Sequence, residues 1–102
     1  MKKATIYLPT NYNNGDDVAS ELLDNIQLKI AKMAGGLTNK GKVQGLWISD
    51  QTGQIMEDIN IHIETAIQEN QLNELQEYLE EVKEILNQEA LYFEYDNEVT
   101  FI

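Results

Sequence analysis

Apolar and polar residues alternate along several stretches of the chain, which is the pattern of half-buried β-strands. The stretches cover residues 4–8, 42–49, 55–64 and 91–95, and a short one at 99–102 follows a turn at Asp96-Asn97. In the third stretch four isoleucines share one face and four polar residues share the other (Ile55, Ile59, Ile61, Ile63; Asp58, Asn60, His62, Glu64). Glu57 interrupts the isoleucine face. We therefore expect four strands, with the last short stretch as a candidate fifth.

Two further stretches repeat apolar residues every three or four positions, which predicts amphipathic helices. The first has the stripe Val18, Leu22, Ile26, Ile30, Met33. Asp16 or Asp17 is its expected N-cap, and Gly35 and Gly36 are expected to end it. The second has the stripe Leu72, Leu75, Leu79, Val82, Leu86, with Thr65 or Asn70 as candidate caps. This stripe covers too few heptads for a coiled coil, so we expect it to face a core.

The order of these elements predicts the fold class. A β-α-β-β-α-β order is typical of the ferredoxin-like α+β sandwich, in which two helices cover one face of an antiparallel sheet. The other face of the sheet is then open, and the last short strand would extend the sheet. We expect residues 1–102 to form a single domain, since a chain of 102 residues is one domain in length.

The charge is unusual and unevenly distributed. The net charge is −11, with no arginine and no cysteine. Residues 1–56 hold six lysines and five acidic residues, a net charge of +1, whereas residues 57–102 hold one lysine and thirteen acidic residues, a net charge of −12. A field of that sign repels phosphates, so we expect neither direct nucleic-acid binding nor binding to anionic membranes. The expected partners are a basic protein surface or a cation, although the acid could also serve solubility alone.

The rest of the composition excludes other classes of protein. A hydrophobic content of 42% is ordinary for a globular domain, and no apolar run is long enough to cross a membrane. The segment after the basic residues Lys2 and Lys3 is too short and too polar for a signal peptide. Without cysteine there is no disulfide framework and no thiolate site. We expect a cytoplasmic protein.

A candidate partner-binding acidic face follows from the second half of the chain. It consists of Glu74, Glu77, Glu80, Glu81, Glu84, Glu94, Asp96 and Glu98. Repulsion between close acidic residues on a helix costs roughly 0.2–0.5 kcal/mol per pair, and burial of the leucine stripe outweighs it. Folding tolerates the charge without requiring it.

Few residues could carry catalysis, and we expect no catalytic residue, metal or cofactor on this ground alone. His62 is the single histidine, and with no cysteine or second histidine it does not make a metal site. Glu57 could reach solvent, accept hydrogen bonds from the backbone or from Thr38, or act as a functional acid. Tyr7 and Tyr92 could show on the open sheet face, but the basic surround that RNA binding needs is missing.

Three short motifs in the middle of the chain resemble a family of small bacterial and phage proteins of unknown function. The motifs are GG-x-T at 35–38, G-x-W at 45–47 and G-x-x-x-E at 53–57. The resemblance implies a ferredoxin-like fold and no particular activity. In size, charge and lack of arginine the chain is also similar to small acidic phage proteins that inhibit host defence nucleases, such as anti-CRISPR proteins.

Three hypotheses about function follow. The first is a phage or mobile-element protein that binds and inhibits a basic, nucleic-acid-handling host protein. The alternative is a ligand-binding or enzymatic ferredoxin-like dimer with a pocket near Thr38, Trp47 and Glu57. The third is self-association through the open sheet face or the last strand, giving a homo-oligomer. We favour the first, because the acidic half is the strongest feature of the sequence.

Overall fold

The computed structural model describes residues 1–102 and contains five strands and two helices. The elements are β1 (Lys2–Pro9), α1 (Ser20–Ala34), β2 (Thr38–Ile48), β3 (Ile55–Ile67), α2 (Leu72–Ile85), β4 (Tyr92–Tyr95) and β5 (Glu98–Phe101), with a 3-10 turn (Glu69–Gln71) before α2. Neither helix is long and apolar enough to cross a membrane.

The strands form one sheet in the order β2-β3-β1-β4-β5, in which every pair of neighbours is antiparallel. This is the topology of a ferredoxin-like α+β sandwich, with β5 added as a fifth strand, and it confirms the predicted fold class. The turn between β4 and β5 places Asp96 and Asn97 at positive φ (52° and 67°), as a tight hairpin turn requires.

One face of the sheet carries the core. Eighteen buried apolar residues form a single cluster between the sheet and the two helices. Along β1, Ala4, Ile6 and Leu8 point into this cluster, and Ile63 of β3 and Phe93 of β4 lie beside Ile6 in register. The alternate residues of each strand lie on the opposite face, which no helix covers. We call it the open face.

Helix α1 begins later than the aspartates predict. Its N-cap is Ala19, and no side chain caps the helix. Asp17 instead accepts a hydrogen bond from the Asn11 side chain at 2.8 Å, and the Val18 N–H donates to the Thr10 carbonyl. The predicted cap is therefore wrong, because the segment after β1 folds back on itself before the helix starts.

The buried stripe of α1 also differs from the predicted one. Leu23 is buried where Leu22 was expected, and Val18 is buried ahead of the helix. Ile26 and Ile30 are buried as predicted. Gly35 ends the helix as predicted: its backbone is in the left-handed region, and its N–H donates a hydrogen bond to the Ala31 carbonyl.

Helix α2 follows its predicted stripe more closely. Leu75, Leu79 and Val82 are buried, and Tyr78 joins them from the same face. Both candidate caps are wrong. Thr65 lies inside β3, and its hydroxyl donates a hydrogen bond to the Gly36 carbonyl. Asn70 lies within the 3-10 turn, which begins with a capping box made by Gln68 and Gln71.

Strands β2 and β3 run further than the rest of the sheet. Their distal parts, residues 43–48 and 55–59, and the turn between them project past the helices, so that most of these side chains are exposed. We call residues 43–59 the arm. The base of β2 contains an irregularity between Asn39 and Lys42, where Gly41 has a φ of 94°.

Candidate functional site

A cavity of about 740 Å³ lies where the arm leaves the sheet. Three parts of the chain line it: the arm with the adjoining part of β3, the end of β1 with the loop after it, and the connection from α2 to β4. The lining residues that the arguments below use are Tyr7, Tyr12, Trp47, Glu57, Asp58, Glu89 and Tyr92. A cavity of this size is in the range of small-molecule sites, roughly 300–1,000 Å³.

Aromatic rings form one part of this lining. Tyr7 of β1 and Tyr92 of β4 lie stacked on the open face, with ring centroids 4.4 Å apart and planes inclined by 16°. His62, which pairs with Tyr7 in register, meets the Tyr7 ring edge-on at 5.2 Å. Tyr12 and Trp47 line the cavity from the loop and the arm. These rings offer flat apolar faces to a planar ligand.

The charged residues of the lining are all acidic. They are Glu57 and Asp58 at the start of β3 and Glu89 before β4, and no lysine or histidine lines the cavity. Acidic residues in an aromatic lining favour a cationic ligand over an anionic one. The expectation that a cation is a partner of the acidic half stays a prediction.

Glu57 lies in the arm opposite Leu46, as its place on the isoleucine face predicts. Its carboxylate accepts a hydrogen bond from the Gln44 side chain and is exposed to solvent. The Glu57 carboxylate thus reaches solvent, the first of the three interpretations, and its hydrogen-bond donor is the Gln44 side chain, whereas the second interpretation named Thr38 or the backbone.

Thr38 lies away from this cavity. It pairs with Glu64 at the base of β2 and lines a second cavity of about 480 Å³ beside Gly35 and Gly36. Nine residue steps along the extended strand, about 30 Å, separate it from Trp47. Trp47 and Glu57 share a cavity, and Thr38 does not join them, because both ends of one long strand cannot reach one site.

The acidic residues of the predicted face lie on different sides of the molecule. Five of them, on α2, are exposed on the helical layer (Glu74, Glu77, Glu80, Glu81, Glu84), and Lys83 pairs with Glu80 at 3.1 Å. Glu94 lies on the open face and accepts a hydrogen bond from the Tyr92 hydroxyl at 3.0 Å. Asp96 pairs with Lys2 at 3.1 Å, and Glu98 is exposed on β5. The sheet therefore divides this set.

Two ionisable groups of the open face have defined partners. Burial, and then the hydrogen bond to Glu94, raises the pKa of Tyr92, so its hydroxyl stays protonated and acts as a donor. His62 lies 3.2 Å from the Glu64 carboxylate. No group of three or more histidine, aspartate or glutamate residues is arranged to hold a metal ion.

Sequence reasoning missed several lining residues. Tyr7 and Tyr92 were considered only for RNA binding, and Tyr12 and Glu89 were not singled out. They come from three separate segments, and no local spacing connects them. The one available signal was the asparagine-rich loop at 10–15, whose length is greater than a tight turn needs.

Comparison with known proteins gives a fold match and no sequence match. No family model matches the chain, and no curated protein sequence matches it significantly. Two solved structures of a phage SAM lyase are similar to it (SAM, S-adenosylmethionine). One, in complex with S-methyl-5'-thioadenosine, has a TM-score of 0.70 at 16% identity, covering 99% of this chain and 88% of that one. The other, in the apo state, has a TM-score of 0.68 at 18% identity, covering 99% and 87%. At such identities the likeness establishes the fold.

These neighbours correct our first functional hypothesis. Both are structures of an enzyme, and the likeness covers almost the whole chain, so they favour the enzymatic alternative over an inhibitor that binds a basic host protein. The acidic residues also fail to make the single docking face that the inhibitor hypothesis needs, because Glu94 and the glutamates of α2 lie on opposite faces of the sheet. The neighbours are phage proteins, whereas the resemblance to a family of unknown function stays a prediction.

Proposed function

We propose that this chain binds S-adenosylmethionine in the 740 Å³ cavity and cleaves it to S-methyl-5'-thioadenosine. The observation that carries the proposal is the make-up of the cavity: stacked aromatic rings in a lining whose charged residues are all acidic. S-adenosylmethionine unites a planar purine with a permanently positive sulfonium. The fold of the two SAM lyase structures supports the same ligand class.

The two parts of the ligand have separate places in the cavity. The purine stacks on the aromatic side chains that line the space, Tyr92 and Trp47 among them. The sulfonium lies near Asp58, whose side chain is on the same face of the arm as Trp47, and a carboxylate there stabilises a cation without removing a proton from it. S-methyl-5'-thioadenosine keeps the purine and lacks the positive charge, so only stacking of the purine binds it to the cavity.

The chemistry needs only the ligand's own atoms. The carboxylate of the amino-acid part attacks the carbon attached to sulfur, the C–S electron pair moves to sulfur, and a neutral thioether leaves. The products are S-methyl-5'-thioadenosine and homoserine lactone, and no water is consumed. The chain's contribution is to bend the amino-acid part toward this ring closure and to hold the sulfonium in place.

The test is a product assay on the purified protein with S-adenosylmethionine, followed by chromatography and mass spectrometry. We expect S-methyl-5'-thioadenosine and homoserine lactone in equal amounts. We expect Asp58→Asn to lower kcat/KM by about ten-fold, a loss of about 1.4 kcal/mol in transition-state stabilisation. Glu74→Gln, which removes an exposed carboxylate outside the cavity, is the matched control and leaves the rate unchanged.

Two results would contradict the proposal. One is the absence of any product together with no calorimetric binding of either S-adenosylmethionine or S-methyl-5'-thioadenosine. The other is equal loss of rate in both variants, which would assign the effect to overall charge instead of the cavity.

A further inference from the structure

The loop after β1 is stabilised mainly by hydrogen bonds of its own. Asn11 forms an isolated antiparallel bridge with Asp17, and the Asn11 side chain donates to the Asp17 carboxylate at 2.8 Å. The Tyr12 N–H donates to the Asp16 carbonyl at 2.8 Å. We call residues 11–17 the β1 loop. Because these bonds lie within the loop, they do not determine where the loop lies relative to the sheet and the helices.

The β1 loop is attached to the rest of the chain at its base and at its tip. At the base, the Thr10 N–H and hydroxyl both donate to the Ile59 carbonyl, and the Tyr12 ring packs against the core. At the tip, the Asn13 side-chain amide donates to the Asn87 carbonyl at 3.1 Å. This is the one hydrogen bond that joins the β1 loop to a distant segment, and we call it the tip bond.

The acceptor of the tip bond has a well-defined position at the end of α2. Asn87 has a φ of 53°, and its N–H donates to the Glu84 carbonyl at 3.0 Å. The N–H of the next residue, Gln88, donates to the Lys83 carbonyl at 2.9 Å. A left-handed residue with these bonds is a usual way to end a helix. The Asn87 carbonyl is therefore held by the helix, and the chain continues from it into the cavity lining at Gln88 and Glu89.

The tip bond thus connects two walls of the cavity. Tyr12 and Asn13 line the cavity from the β1 loop, and Gln88 and Glu89 line it from the connection between α2 and β4. The two partners of the bond are 74 positions apart in the sequence. The β1 loop lies outside the five-stranded sheet, so strand pairing does not set the distance between these walls.

We propose that Asn13 is a positioning residue, whose tip bond holds the Tyr12 wall of the cavity at a fixed distance from the Glu89 wall before the ligand arrives. The identity of the ligand rests on the proposed function. A wall that is already in place loses less conformational entropy when the ligand binds. Asn13 donates to a carbonyl of the chain and takes no part in breaking the C–S bond. Its loss should therefore weaken binding of the substrate and of the transition state equally.

The first test separates KM from kcat. Asn13→Ala should raise the KM for S-adenosylmethionine by about five-fold, the effect of one hydrogen bond, and leave kcat unchanged. Binding of S-methyl-5'-thioadenosine, measured by calorimetry, should weaken by the same factor. Asn73→Ala removes an exposed asparagine of α2 outside the cavity lining and is the matched control, which should keep both constants. An unchanged KM, or a lower kcat at equal KM, in a variant with the wild-type urea midpoint would overturn the proposal.

The second test needs no ligand. Order parameters from NMR relaxation of the backbone amides of the β1 loop should fall in Asn13→Ala from rigid values of about 0.85 toward 0.6. Asn87→Gly keeps the accepting carbonyl and suits the left-handed backbone, so it should retain the rigid loop. Equal order parameters in the wild type and Asn13→Ala would overturn the proposal even if the chain cleaves S-adenosylmethionine. A wild type that neither binds nor cleaves S-adenosylmethionine would instead contradict the proposed function, and the order parameters then decide whether Asn13 holds the loop.

Discussion

At the scale of single residues, Tyr92 is where the fold and the proposed ligand meet. Its ring is stacked on Tyr7 and lines the cavity, and its hydroxyl donates to Glu94 on the open face. Tyr92→Leu should therefore weaken binding of S-methyl-5'-thioadenosine by roughly ten-fold, since a base–aromatic stack contributes ~1–3 kcal/mol. Calorimetric titration with that product measures it. Tyr78→Leu would be a poor control because Tyr78 is in the core, whereas Leu28→Ala changes an exposed side chain of α1 outside the cavity lining and should have little effect.

The pH dependence of stability also follows from Tyr92. Its pKa in the folded state is raised above the ordinary tyrosine value of about 10, first by burial and then by the hydrogen bond to Glu94. The associated stability is fully present below the unfolded pKa and is lost as the pH rises through the folded pKa. Urea unfolding at neutral pH and above pH ~10 should show a steeper alkaline loss for the wild type than for Tyr92→Phe. Parallel curves for the two proteins would refute this.

At the scale of elements, α2 was easier to predict than α1 for a physical reason. The stripe of α2 faces the core directly, so helical period and burial coincide at Leu75, Leu79 and Val82. The start of α1 depends on the loop before it, where Asn11 takes the carboxylate of Asp17 that a helix cap would have used. Competition between a cap and a tertiary loop contact is not visible in a spacing pattern.

The end of α1 gives a prediction about stability. Gly35 has a φ of 93° and its N–H caps the Ala31 carbonyl. Gly35→Ala should destabilise the chain by ~1–2 kcal/mol, because a side chain in the left-handed region costs that much. The unfolding midpoint in urea measures the loss. Gly45→Ala is the control: its φ is not in that region and no atom lies within 4 Å of the added carbon, so we expect little change or slight stabilisation.

At the scale of the whole molecule, the net charge of −11 gives a prediction about substrate capture. An acidic protein attracts a cationic ligand through its whole field, and salt screens that attraction. Raising the salt from about 0.05 M to about 0.5 M should raise the KM for S-adenosylmethionine several-fold. Binding of the uncharged S-methyl-5'-thioadenosine should hardly change over the same range. Equal salt dependence for the two compounds would mean that the charge has no part in capturing the substrate.

The candidate site belongs to the same scale, and the sequence located only part of it. Trp47 and Glu57 were correctly placed near each other because they lie on paired strands of one hairpin, where register follows from the turn. Thr38 was wrongly grouped with them, since the long strand β2 carries it to the far end of the sheet. Tyr12 and Glu89 reach the cavity from distant segments, and their proximity depends on the complete packing of helices and sheet.

The sequence by itself determined the kind and order of the elements, the ferredoxin-like sandwich and the uneven charge, because periodicity and composition are local properties of the chain. It did not determine where the charge acts. Only the tertiary structure divided the acidic residues between two faces, brought acidic residues from distant segments to the cavity lined by the stacked tyrosines, and extended a hairpin past the core with its apolar side chains uncovered. Those features depend on which distant segments come into contact and on how far each strand continues beyond its neighbours. The spacing of side chains along the sequence is a local property and determines neither of these.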